Sequence, residues 1–173
     1  MGRLGAVPSS ERLVVADLAL LDAALEGDDA LGRALGGCGV VADWQAFPDA
    51  AARARSTLAG DPGAGAWGTR LFVRDSPREL VGWGGFKGPP SDGAVEIGYA
   101  ITPARRGAGL ATAAAQALLA EAYACWDVRT VLAHTLRERK ASVRVLERIG
   151  FRFEGEASER GMSVWRFRHE RPA

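Results

Sequence analysis

Cysteine is scarce in this chain. Cys38 and Cys125 are the only two, far apart and without metal-ligand spacing, so neither a disulfide framework nor a thiolate metal cluster is expected. They read as buried or idle thiols in a reducing compartment. No sign of charge is in excess: 22 Lys and Arg face 21 Asp and Glu, which removes the electrostatic case for nucleic acid or an acidic membrane surface as a partner. No apolar run approaches the length of a membrane span, and Met1 to Ser10 lacks the apolar core of a signal peptide. Internal repeats, low-complexity tracts and interdomain linkers are also lacking. With 173 residues, the expectation is one domain over 1–173, soluble and cytoplasmic, with a full-sized core and no resident metal.

Glycine, by contrast, is abundant and placed where it matters. Arg105-Arg106-Gly107-Ala108-Gly109-Leu110-Ala111-Thr112 joins an alternating run, Ala94 to Ile101, to a stretch free of Gly and Pro, Leu110 to Ala124. The first has Val95, Ile97, Tyr99 and Ile101 on one face, as in a strand. The second carries Leu110, Ala114, Leu118 and Ala122 at helical spacing. The octet is thus a basic turn into a helix N-terminus, where backbone N–H groups lack intrahelical partners and the helix dipole adds positive charge. Gly107 and Gly109 allow close approach of the main chain, and Arg105 and Arg106 supply formal charge. This is a candidate pyrophosphate cradle. A nucleotide P-loop would need Lys-Ser/Thr after its last Gly, where Leu110-Ala111 stand, and the dinucleotide fingerprint would lie near a first strand.

The remaining chain reads as a strand at Glu11–Asp17, short helices at Leu18–Leu25 and Ala30–Leu35, and a flexible break at Gly36–Gly39. A helix at about Asp49–Leu58 follows Pro48, and Asp61–Gly65 is a loop. Strands at Trp67–Arg74 and Glu79–Phe86 form a hairpin, in which Gly82, Gly84 and Gly85 signal a bulge or the close approach of another group. Arg129–Thr135 is a strand, Arg137–Ile149 an amphipathic helix stopped by Gly150, and Phe151–Glu156 with Met162–His169 a closing hairpin.

Arg106-x-x-Gly109-x-Ala111 resembles the acyl-CoA pyrophosphate motif of the GNAT N-acetyltransferase superfamily, and the order of elements is that of the superfamily. Ala141-Ser142 followed by Val145-Leu146-Glu147-Arg148-Ile149-Gly150-Phe151 is similar to a second signature, found in the branch that acetylates ribosomal-protein N-termini and many small amines. Leu80-Val81-Gly82, Gly85-Phe86-Lys87-Gly88 and Glu96-Ile97-Gly98-Tyr99 resemble that branch too. One departure is Arg139, where the branch usually has an Asn that hydrogen-bonds near pantetheine; an Arg cannot accept such a bond but can reach a phosphate.

The resemblance implies an α+β fold of α/β/α layers. Its mixed, mostly antiparallel sheet would have about seven strands, splayed between the fourth (Ala94–Ile101) and fifth (Arg129–Thr135). It implies acetyl-CoA as cosubstrate and acetyl transfer to a primary amine, a small molecule or a protein N-terminus, with homodimerisation common. Main chain at Tyr99, Ala100 and Ile101 would pair with pantetheine, and Arg106, Gly107, Ala108, Gly109, Leu110, Ala111, Thr112 and Arg139 would surround the phosphates. Thr112 adds a hydroxyl or caps its own helix. Ser142 is the candidate for thiolate protonation, against a hydroxyl bonded four residues back. Glu96 would relay a proton from the incoming ammonium, or serve as an ion-pair partner; His134 is catalytic or structural. Trp44, Phe47 and Trp83 would wall the acceptor pocket or simply pack. The alternative to an enzyme is a catalytically idle acyl-CoA-binding module that senses or scaffolds.

Overall fold

A computed structural model describes residues 11–45, 47, 49–159 and 161–172. Pro48 and Met1 to Ser10 lie outside the described residues. Among the described residues eight strands form one sheet: β1 (Glu11–Val15), β2 (Gly39–Val40), β3 (Thr69–Asp75), β4 (Arg78–Phe86), β5 (Ala94–Ile101), β6 (Thr130–Thr135), β7 (Arg152–Glu159) and β8 (Met162–Glu170). Their spatial order is β1-β3-β4-β5-β6-β8-β7, with β2 added beside β4. Pairing is antiparallel except for β5–β6 and β2–β4.

The α-helices among the described residues are α1 (Leu18–Glu26), α2 (Asp28–Ala34), α3 (Ala50–Gly60), α4 (Leu110–Ala124) and α5 (Lys140–Arg148). The alternation of β5 sends Val95, Ile97 and Ile101 into one core, where Leu110, Ala114, Leu118 and Ala122 of α4 and Leu146 of α5 meet them. Alanine at two of the four inward positions of α4 lets the helix lie close to the sheet. Leu118 and Leu146 are nearly inaccessible, each burial contributing roughly 1.5–3 kcal/mol. The other face buries Leu21, Leu31, Leu35 and Trp44 against Leu71, Val73 and Leu80. The layering is α/β/α.

The glycines of β4 have a physical reason. A Cβ on Gly82 or Gly84 would stand 2.2 Å from the carbonyl oxygen of Ala100 or Gly98 respectively, on β5. A bulge accompanies them: pairing with β3 shifts between Phe72–Gly82 and Val73–Leu80, leaving Val81 extra. Strand β5 is therefore held unusually close to β4. On its other side it parts from β6. Pairing runs from Ala94–Thr130 to Ile97–Ala133 and stops, so Gly98 to Ile101 keep only their β4 partners. The fork expected from the resemblance is present.

Four expectations need correction. Gly39 and Val40, read within or beside a flexible break, form the short parallel strand β2, too brief for any periodicity to reveal. Pro62–Trp67 is a 3-10 turn rather than loop and strand, opened by Asp61 accepting from the Gly63 N–H at 2.9 Å. Helix α5 begins at Lys140, not Arg137, because the backbone at Arg139 (φ −80°, ψ 63°) is outside helical geometry. The closing hairpin is longer, β7 running to Glu159 and β8 starting at Met162.

Candidate active site

Between β5 and α4 the chain makes a 3-10 turn at Pro103–Arg105, is extended at Arg106, and then turns left-handed at Gly107 (φ 82°) and Gly109 (φ 80°). Both values are open to glycine at little cost. Among the described residues, the N–H groups of Gly107 through Thr112 have no backbone acceptor, and the helix bond ladder starts with Ala113 donating to Gly109. Six consecutive donors at the positive end of a fifteen-residue helix are an arrangement that suits an anion.

The cation beside it is Arg106, whose Nε donates to the Ile101 carbonyl at 3.1 Å, fixing its stem across the end of β5. Arg105 does not share that task. Its guanidinium grips both oxygens of Glu79 at 3.0 Å, an arrangement that holds the Glu79 carboxyl below its usual range, with Arg74 on the same acid at 2.6 Å. Of the two arginines read as supplying charge, only Arg106 remains unneutralised.

The cradle opens into a cavity of about 690 Å³ between β5, α4 and α5, within the range of roughly 300–1,000 Å³ usual for small-molecule sites. The structure brings Tyr99, Ala100, Ile101, Arg106, Gly107, Gly109, Leu110, Ala111, Thr112, Arg139 and Ser142 to its walls; Ala108 is not among them. Lys140, Arg144 and Arg148 line it as well, and sequence reasoning missed them. Their signal was a basic stripe at i, i+4 and i+8 along α5. The Ser142 hydroxyl makes no hydrogen bond to another described residue. Thr112 makes no capping bond to its helix. The Tyr99 hydroxyl is buried without a partner, and burial pushes its pKa well above the usual phenol value.

Glu96 lies elsewhere, on the alternate face of β5 with Gly98 and Ala100. Its Oε1 accepts from His134 Nδ1 at 2.8 Å and pairs with the Lys87 ammonium. Arg166 Nε donates to His134 Nε2 at 3.1 Å, so the ring proton resides on Nδ1, facing the acid. Glu159 completes the cluster, 2.6 Å from Lys87. Oxygen and nitrogen atoms of Glu96, His134 and Glu159 fall within 4.8 Å of one another, a spacing that suits a cation, and the Lys87 ammonium contacts both acids. Burial lowers the Lys87 pKa, but the hydrogen bonds its ammonium donates to Glu159 and Glu96 outweigh it and leave the group above its ordinary value.

The three aromatics separate. Trp44 is buried in the second core with its indole N–H on Asp28 at 3.1 Å, and Phe47 is exposed. Trp83 meets Trp44 edge to face at 6.5 Å and pairs with Ala100 across β4–β5, on the Glu96 side of the sheet. None of them lines the cavity.

The family profile described as Acetyltransferase (GNAT) domain matches residues 11–152. The chain belongs to this family. Uncharacterized N-acetyltransferase YjdG of Bacillus subtilis (strain 168) is 30% identical over 151 residues, covering 86% of this chain and 89% of that protein. A putative GNAT-family acetyltransferase from Bordetella pertussis is similar in structure, with a TM-score of 0.64 and 26% identity over 90% of this chain and 93% of the other. The yncA protein of Salmonella typhimurium, described as a putative acetyltransferase with its cofactor acetyl-CoA, aligns with a TM-score of 0.62 at 19% identity, over 93% of this chain and 94% of that one. One fork in this domain joins two surfaces: the Gly107–Thr112 N–H groups with their cavity under α5, and a carboxylate–imidazole pair on the opposite face. Among the described residues no helix is long and apolar enough to cross a membrane.

Proposed function

We propose that this GNAT domain transfers the acetyl group of acetyl-CoA to a primary amine, a small molecule or a protein N-terminus, by direct attack within a ternary complex. The observation that carries the reading is the run of unpartnered N–H groups from Gly107 to Thr112 opening into the cavity beside the unpaired edge of β5. The donors suit a diphosphate, and Arg106 adds a fixed positive charge. Lys140, Arg144, Arg148 and Arg139 ring the same cavity and would neutralise further phosphate charge. When bound, acetyl-CoA supplies an activated thioester.

The chain's own groups would do the rest. The free edge of β5 between Gly98 and Ile101 would accept the pantetheine amides as a partial strand, with one N–H polarising the thioester carbonyl. Glu96, oriented by the Nδ1 proton of His134, would take a proton from the attacking ammonium directly or through water. Ser142, on the cavity wall with no partner for its hydroxyl among the described residues, would pass a proton to the departing thiolate, directly or through water, and regain it from solvent. Holding both reactants at the fork removes the need for a covalent enzyme intermediate. The Ser142 and Val145–Phe151 signature supports kinship with the branch acting on ribosomal-protein N-termini and small amines.

Thiol release from acetyl-CoA, followed across short peptides, polyamines, aminoglycosides and amino acids, tests the reading. Turnover on at least one acceptor class is expected, with Glu96→Gln lowering kcat/KM about 10²–10⁴-fold and Ser142→Ala lowering kcat. Tight acetyl-CoA binding with no turnover on any amine would instead favour the idle binding module. Full activity in Ser142→Ala would remove that residue from its role.

A further inference from the structure

We propose that Lys87 sets the acceptor class, by occupying the second ammonium seat beside Glu96 and so restricting the enzyme to acceptors that present a single amine. This rests on the acetyl-transfer reading above and extends it to the acceptor side.

Lys87 follows β4 directly, and its backbone N–H donates to the Glu96 carbonyl at 3.0 Å, which anchors its Cα opposite the acid. Its stem runs over Gly98, with Cε 3.9 Å from where a Cβ would stand. Gly98 is the first residue of β5 beyond the last β6 pair, so the ammonium is delivered to the mouth of the fork. There it contacts Glu96 and Glu159 together, while Glu96 also receives His134. The His134 and Lys87 contacts of Glu96 both fall on Oε1, so an incoming amine would be met at Oε2.

Charge accounting on this face points the same way. Each acid on this face already meets a cation: Lys87 contacts Glu96 and Glu159, Arg166 and Arg168 reach Glu154 at 3.7 and 3.4 Å, and Arg168 pairs with Glu170. A polyamine carries a second and third ammonium, and each needs an anionic partner to offset its lost hydration. The carboxylates that would serve are already bridged by a tethered cation. A tether of this kind acts at an effective concentration in the millimolar range or above, so a free polyamine competes poorly. An amino acid or a peptide N-terminus needs one seat only.

The test is calorimetric titration of spermidine and of butylamine into the wild-type protein, Lys87→Met and Lys87→Arg. Lys87→Met is expected to bind spermidine about tenfold tighter than wild type, the equivalent of one well-placed charge contact, with a smaller change for butylamine. Lys87→Arg, which keeps the cation, should behave as wild type and show that the gain comes from the vacated seat. Unchanged spermidine affinity in Lys87→Met, or wild-type protein already preferring spermidine to butylamine by about tenfold, would overturn the assignment. Because the readout is amine binding, it stands apart from the acetyl-transfer reading, whose failure would appear as absent acetyl-CoA binding.

Discussion

Glu121→Ala is expected to destabilise the fold by about 3 kcal/mol, and by more than Arg70→Met does. Arg70 is 2% exposed, and its guanidinium is fully employed: Nε and Nη2 meet Glu121, while the carbonyls of Gly65, Ala66 and Gly68 accept at 2.7–3.2 Å. Removing the acid leaves a guanidinium that is 2% exposed without its counter-charge. Removing the arginine is milder, because Glu121 is 38% exposed and recovers hydration, while methionine refills the apolar volume over Phe86. Of the four carbonyls that lose a donor, those of Gly65, Gly68 and Thr69 keep a backbone N–H, so among the described residues only that of Ala66 is left unsatisfied, at about 1–3 kcal/mol. The pair ties α4 and the Pro62–Trp67 turn to β3, so it also fixes the helix whose N-terminus forms the cradle. Chemical denaturation of the two variants beside wild type checks the order, and a larger loss in Arg70→Met would contradict it.

Gly84→Ala is the second large effect. The added methyl would sit 2.2 Å from the Gly98 oxygen, 2.7 Å from Cζ of Phe72 and 2.8 Å from Cα of Tyr99. Two of these neighbours are backbone, so relief requires β5 to move away from β4. A cost of about 3 kcal/mol, at the upper end for overpacking, is expected. Because Gly98 and Tyr99 are the first residues past the fork, the displacement should weaken acetyl-CoA binding in whatever fraction still folds. Gly107→Ala is the control in the same region: no atom lies within 4 Å of its Cβ, and its penalty comes from the left-handed backbone alone, about 1–2 kcal/mol. Equal stability of Gly84→Ala and wild type would show that the close strand approach carries no strain.

The sequence made the cradle legible because its information is local. Glycines at two left-handed positions, an arginine, and an alanine-rich helix following a strand are all contiguous in the chain, and β5 and α4 appear with the boundaries their patterns imply. The glycines of β4 were equally readable as a close approach, though not what approached. What escaped depends on tertiary pairing. The Arg70–Glu121 bridge joins residues 51 positions apart, and nothing in either neighbourhood marks the partner. The bond between Arg105 and Glu79 took away half of the formal charge ascribed to the cradle, while the stripe Lys140, Arg144 and Arg148 added charge from a helix read mainly for its apolar face. Glu96 and His134 were each named as candidates, but only the parallel pairing of β5 and β6, two strands separated by a whole helix, sets them side by side.

The central claim is that the fork and the Gly107–Thr112 donors form an acetyl-CoA site, and calorimetric titration of acetyl-CoA into wild type, Arg106→Ala and Glu96→Gln tests it most directly. The account predicts saturable binding to wild type, a loss of about ten- to a hundredfold in Arg106→Ala from one missing charge-assisted contact, and near wild-type affinity in Glu96→Gln. Absence of binding to wild type, or equal affinity in Arg106→Ala, would contradict it.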